Sequence, residues 1–187
     1  MRKKAADTAF AADTAAARLA RRYEHTPAVK ALEHFADLGD QPPMRILCAS
    51  VIAVGLFARD RRLARTGVAM LAAHTAATLV KDAVKKRVDR TRPRSADKPG
   101  KDAKPRPGDR TAKEETSFPS GHSAGAAAVA RAFARAYPEH AGKAYAAAGL
   151  LALAQIPRCA HYPTDVGAGL AIGIASEAVT GAVLKRI

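Results

Sequence analysis

From residue 46 onward the chain returns repeatedly to apolar stretches of helical length, each closed by charge, proline or a polar motif. Residues 46–58 are uncharged and end at Arg59-Asp60-Arg61-Arg62. Residues 66–80 are interrupted only by His74, and 119–136 are Ala-rich with Arg131 and Arg135. Residues 144–157 are uncharged, and 166–184 are apolar apart from Ser176, Glu177 and Thr180. Half-buried strands would alternate apolar and polar residues and favour β-branched ones; here Ala and Leu dominate without alternation. The pattern predicts an all-α fold, a multi-helix bundle.

Such a bundle must hide its apolar faces in a core or in lipid. An uncharged run of 13 residues spans only about 20 Å against a hydrocarbon core of about 30 Å. The chain's polarity, however, sits mostly in residues 1–43 and 94–117. The remainder is too apolar for a small soluble bundle, which needs polar outer faces, and its small residues suit close helix packing in lipid. A membrane-embedded, multi-pass integral protein of the cell membrane is the expectation.

At 187 residues the length fits one domain with a real core. Residues 1–43 read as an N-terminal polar or interfacial helical segment, and 44–187 as the bundle, with a basic loop at 94–117. Within the first segment Thr26-Pro27 has the form of a helix N-cap followed by Pro at the first helical position. Val29, Leu32, Phe35 and Leu38 share a face, and Gly39 with Pro42-Pro43 should end that helix. Met1-Arg2-Lys3-Lys4 begins the chain, but Asp7 and Asp13 interrupt the adjoining stretch, so no cleavable signal peptide is expected. Ala-Ala-Asp-Thr-Ala occurs at 5–9 and again at 11–15, too short to mark a repeat architecture.

The formal net charge of +14 points to anionic partners. With 5% aromatic residues and no Trp, stacking platforms for bases are scarce, which argues against nucleic acid. Cys48 and Cys159 form neither a disulfide framework nor a zinc cluster and should be small buried hydrophobes.

Three short elements carry chemistry. Lys85 with Arg92-Pro93 supplies fixed positive charge, a mobile ammonium and a planar guanidinium fork; alone, a membrane-flanking basic cluster with Lys81, Lys86, Arg87 and Arg90 explains it equally well. Pro119-Ser120-Gly121-His122 opens an apolar helix, where backbone N–H groups gather anions and Ser120 can add a hydroxyl. His122 there has the titration range of a general acid; an ordinary helix start with a capping His is the alternative. His161 and Asp165 stand four apart, so the carboxylate can hold one ring nitrogen and leave the other free to attack. A local hydrogen bond would have the same spacing. Residue chemistry alone therefore supplies an anion site with two candidate histidines.

Together and in this order the three elements resemble the type 2 phosphatidic acid phosphatase family, which shares its fold with vanadium-dependent haloperoxidases. That family's pattern is Lys, six residues, Arg-Pro; then Pro-Ser-Gly-His; then Ser-Arg, five residues, His, three residues, Asp. Lys85 and Arg92-Pro93 fit the first part, residues 119–122 the second, and His161 with Asp165 the end of the third. Ala154-Gln155 stands where the family has Ser-Arg, and Arg158, three residues on, is the nearest arginine that could replace it.

The resemblance implies a metal-independent lipid phosphate phosphatase without cofactors, a hydrolase of a lipid phosphate monoester or pyrophosphate. His161 would become a covalent phosphohistidine, Asp165 would orient it, and His122 would protonate the leaving group. Lys85, Arg92, Ser120, Gly121 and Arg158 would bind phosphate, with an anionic lipid phosphate as substrate and the membrane as partner. Phosphatidate, phosphatidylglycerophosphate and isoprenyl pyrophosphate all remain open as substrates. The competing readings are a vanadate-dependent haloperoxidase-like enzyme and a non-catalytic basic membrane protein that binds anionic lipids.

Overall fold

The computed structural model describes residues 2–96 and 103–186; Lys98, Pro99 and Lys101 of the basic loop lie outside them. Among the described residues there are seven α-helices: α1 (Arg2–Arg21), α2 (Pro27–Ala36), α3 (Gln41–Phe57), α4 (Arg61–Lys85), α5 (Gly121–Ala136), α6 (Ala141–Leu153) and α7 (Pro163–Leu184). A two-residue antiparallel ribbon, β1 (Val88–Asp89) with β2 (Arg106–Pro107), pins the long connection between α4 and α5. The all-α bundle read from the apolar runs is the fold.

Helices α3 to α7 run alternately up and down, and α5 is the axis, packed by α4, α6 and α7. Its alanines are the reason. Residues 124, 126, 127, 128, 130, 132 and 134 are all buried alanines, so three neighbours can approach one helix at backbone distance. Where α7 crosses α5, even Ala would be too large: a Cβ on Gly169 would collide with the Ser120 carbonyl oxygen, and one on Gly173 with that of Ala124. At the other end of this crossing, buried Glu177 takes Arg131 at 2.6 Å and Arg135 at 2.9 Å.

Several helix ends differ from the sequence expectation. Thr26 caps α2, its hydroxyl accepting from the Val29 amide, but Pro42-Pro43 do not end that helix. They open α3, where the first turn has no use for the missing N–H groups. α4 outruns its uncharged stretch at both ends, beginning at Arg61 behind the Asp60 cap. Helix α6 stops at Leu153; Pro157 has no N–H to give the Leu153 carbonyl, which accepts from the Ile156 amide at 3.1 Å. Residues 154–159 instead form a tight turn that ends in a left-handed Cys159 at φ 52°. Cys48 and Cys159 are free and buried, as expected.

Candidate active site

A cavity of about 400 Å³ opens where the C-terminus of α4, the N-terminus of α5 and the turn between α6 and α7 converge. Lys81, Lys85, Arg92, Gly121, His122, Gln155, Arg158 and His161 line it, with Asp37 and Asp40 toward solvent. The fold thus brings the three sequence elements into one place although Lys85 and Asp165 stand far apart in the chain.

The cations come in from two elements. Lys81 and Lys85 are one turn apart on α4 and share a face. Lys85 Nζ donates to the Thr116 carbonyl, and Lys81 Nζ pairs with Asp82 at 2.5 Å while its stem packs against Gly121. Arg92 lies in the extended segment after β1, where its Nε donates to the Lys113 carbonyl at 2.7 Å and its Nη1 to that of Ala160 at 3.2 Å. Arg92 is therefore clamped between the α4–α5 connection and the turn that carries His161.

Pro119 follows a cis peptide and precedes the helix rather than standing at its first position. The N-cap is Ser120, fully buried, with Oγ accepting from Ser123 N at 3.3 Å and lying 2.8 Å from Ser123 Oγ. The Ser120 amide donates to the Asp165 carbonyl at 3.0 Å, which ties the start of α5 to the start of α7. Ser120 itself is absent from the cavity lining, whereas Gly121 and His122 face it, and first-turn amides have no partner within their helix. His122 Nε2 lies 3.1 Å from Asp40 Oδ1, off the angle of a hydrogen bond.

His161 sits just before α7. Its amide and that of Ala160 both donate to the Gln155 carbonyl at 3.2 Å, a reversal that the left-handed Cys159 makes possible. Its Nδ1 is 3.7 Å from Asp165 Oδ2. Burial pushes the His161 imidazole down to about 4, against the opposing pull of Asp165, so the ring is neutral at physiological pH. Asp165 is itself fixed on every side: Oδ2 accepts from Ser117 Oγ at 2.5 Å and from the Tyr162 amide at 2.9 Å, and Oδ1 accepts from Arg90 at 2.5 Å.

Arg158 and Gln155, the latter standing at the family arginine's own position, both reach the cavity. Arg158 gives Nη2 to Asp37 at 3.0 Å, and its Nε and Nη1 are buried without hydrogen-bond partners. Gln155 is fully buried; its Nε2 donates to the Leu151 carbonyl at 3.1 Å, which fixes the amide's orientation and leaves Oε1 unpartnered.

Two participants do not stand out in the sequence. Lys81 reads there as flanking charge, although its spacing of four from Lys85 places it on the same helical face. Arg90 reads likewise, yet it is among the most buried side chains, ion-paired to Asp165 and stacked 4.0 Å over the Tyr162 ring. No periodicity singles it out, because it stands in irregular chain.

Known proteins share the fold and part of the sequence. Over 70 residues the chain is 41% identical to a lipid A 1-phosphatase of Rhizobium johnstonii, a match spanning 37% of this chain and 29% of that protein. Its fold is similar to that of a transmembrane PAP2-type phosphatidylglycerolphosphate phosphatase from Bacillus subtilis, with TM-score 0.66 and 21% identity over 95% of this chain and 86% of that one. It is also similar to LpxE of Aquifex aeolicus, with TM-score 0.65 and 21% identity over 88% and 91% of the two chains. The sequence profile of the PAP2 superfamily matches residues 66–186, which include all three motifs and every cavity cation named above, and the chain belongs to that superfamily.

Proposed function

We propose that the protein is a membrane-embedded phosphatase that hydrolyses a lipid phosphate through a covalent phosphohistidine on His161. The observation that carries this is the placement of a neutral, buried imidazole on the wall of a cavity whose other walls bear Lys81, Lys85, Arg92 and Arg158.

Phosphate oxygens would be met by Lys85, Arg92 and Arg158 together with the Gly121 and His122 amides, charge-assisted contacts suited to a dianion. With Asp165 beside Nδ1, His161 Nε2 attacks phosphorus as the bond to the leaving oxygen breaks. His122 gives that oxygen a proton; burial disfavours the protonated ring, and Asp40 Oδ1, 3.1 Å from Nε2, opposes that effect. Water then attacks the phosphohistidine, returning a proton to His122 and releasing phosphate, with His161 neutral again. Ser120 supports the site by capping α5.

Membrane embedding is supported by the outer surface. Helices α4 and α7 are long and apolar enough to cross a bilayer, and only 33% and 28% of their apolar stretches are buried, whereas the core helix of a soluble protein would be mostly covered. Phe57, Leu79, Leu150 and Val179 face outward. Lipid access to the cavity accords with that setting, and the relatives named above, a lipid A 1-phosphatase and a phosphatidylglycerolphosphate phosphatase, support a lipid substrate.

The test is phosphate release by purified protein in detergent from phosphatidate, phosphatidylglycerophosphate, isoprenyl pyrophosphate and lipid A 1-phosphate. Turnover of at least one, lost in His161→Ala, is the expected result. Folded protein that releases phosphate from none of them overturns the proposal.

A further inference from the structure

Asp13, in the middle of α1, is 2% exposed, and its carboxylate is spent on groups that touch the proposed catalytic pair. Oδ1 accepts from the Thr164 amide at 3.0 Å; Oδ2 accepts from Arg90 Nη2 at 2.6 Å and from the Thr164 hydroxyl. The same guanidinium gives Nη1 to Asp165 Oδ1 at 2.5 Å and to Thr164 Oγ1 at 2.8 Å, and Nε to the Ala103 carbonyl at 2.9 Å. Asp13, Arg90 and Asp165 thus form a buried row of charges, minus, plus, minus, whose last member stands beside His161. Asp13 lies well outside the residues matched by the family profile, so the partner that completes this row comes from the N-terminal helix.

We infer that Asp13 is a positioning residue for the proposed phosphoryl transfer and that α1 is part of the active site. The inference rests on the phosphatase reading. The physical reason is charge sharing. Arg90 held by one carboxylate would draw the full negative charge of Asp165 toward itself, away from His161. A second carboxylate on the far side of the guanidinium halves that pull and leaves Asp165 able to stabilise the cationic imidazole that forms as Nε2 bonds to phosphorus. Through the Thr164 amide and hydroxyl, Asp13 also fixes the first turn of α7, from which Asp165 projects. Neither effect touches the phosphate ligands, so Asp13 should matter to the transition state and not to ground-state binding.

The experiment compares wild type, Asp13→Asn and Thr164→Val in detergent, each rate expressed per folded molecule as judged by size-exclusion profile and thermal unfolding. Asp13→Asn should lower kcat about ten-fold or more, a smaller loss than replacing the orienting carboxylate itself brings. KM and competitive inhibition by inorganic phosphate should stay within about two-fold of wild type, and vanadate affinity should weaken in step with kcat. Should Asp13→Asn not fold, Thr164→Val removes a hydroxyl shared by Asp13 and Arg90 at nearly constant shape, and the same kcat-only signature, smaller in size, is expected. Unchanged kcat in a folded variant, or equal losses in kcat and phosphate affinity, overturns the inference. Vanadate binding, measured without turnover, separates the two claims. A wild type that releases no phosphate defeats the phosphatase reading, while vanadate affinity lost in Asp13→Asn still supports the Asp13 linkage. Vanadate bound equally by both proteins, or by neither, defeats the linkage.

Discussion

Nδ1 of His161 and Oδ2 of Asp165 lie 3.7 Å apart, and both side chains are buried. The gap is slightly beyond hydrogen-bond length, and Oδ2 already accepts from Ser117 and from the Tyr162 amide. Asp165 therefore acts on a neutral ring mainly by charge and orientation, and the contact tightens when the ring becomes cationic. His161→Ala should abolish phosphate release, whereas Asp165→Asn should leave slow residual turnover because the attacking nitrogen remains. Acid-labile phosphate trapped on wild type and missing from His161→Ala supports the assignment; near wild-type release by that variant refutes it.

The depressed titration of His161 makes a second prediction. Its imidazole is pushed down to about 4 from 6.5, with burial as the main cause. The folded state thus binds this proton more weakly than the unfolded chain. The stability that neutral His161 contributes is fully present above about pH 6.5 and is lost as pH falls from there through about 4. The same shift keeps the nucleophile unprotonated through mildly acidic pH. After correction for the substrate's own ionisation, kcat/KM should hold its plateau well below pH 6.5 and fall only as pH nears 4. A nucleophile break near 6.5 in that profile contradicts the buried geometry.

Arg158 and Gln155 make opposite predictions at one site. The two unpartnered guanidinium nitrogens of Arg158 belong to a side chain that lines the cavity, and a charge-assisted contact to an anion is worth about 1.5–3 kcal/mol. Arg158→Ala should therefore lower kcat/KM roughly 10- to 150-fold, and Gln155→Ala should cost far less. Measuring both variants on one substrate decides between them, since reversed magnitudes would make Gln155 the phosphate ligand.

Chelation provides a fourth check. Lys81, Lys85, Arg92 and Arg158 line the cavity, and in the proposed mechanism this cationic wall supplies the charge compensation a divalent ion would otherwise bring. Turnover should survive EDTA, and vanadate should inhibit. Complete loss on chelation, restored by Mg²⁺ or Zn²⁺, contradicts the mechanism.

A fifth prediction concerns the α5–α7 crossing. Ala at Gly169 or Gly173 forces a Cβ into a carbonyl oxygen at the start or in the body of α5, and the rigid backbone cannot yield as a flexible side chain would. Overpacking of this kind costs about 1–3 kcal/mol. Gly169→Ala should also lower activity, because the oxygen it displaces belongs to Ser120, the cap of the helix carrying His122. Gly167→Ala, with nothing within 4 Å, is the control: it should leave the rate unchanged and stability unchanged or raised by up to about 1 kcal/mol, since Ala favours helix over Gly.

The legible part of this protein lies in local spacing. The apolar runs mark the helices, and Lys85, Arg92, His122, Arg158 and His161 do meet at one cavity, because motifs at helix ends converge once the helices alternate in direction. The illegible part depends on partners far along the chain. Asp7 and Asp13 occupy equivalent places in a repeated pentapeptide, yet Asp7 is exposed and Asp13 buried against Arg90. Only packing distinguishes them. Helix ends are ambiguous for a similar reason: Pro42-Pro43 and Pro157 are strong punctuation, but whether proline opens or closes a helix depends on which side the chain turns.

Asp37 and Asp40 stand beside Arg158 and His122 at the solvent side of the cavity, and this alters what substrate entry entails. Two carboxylates already neutralise part of the cationic wall, so on the proposed mechanism an arriving phosphate would compete with them for Arg158 and His122. The positive charge the substrate meets is smaller than the four cations alone would give. Affinity for substrate should accordingly depend on ionic strength less steeply than the chain's overall basicity suggests, and the same two carboxylates would stand as counter-charges beside the product.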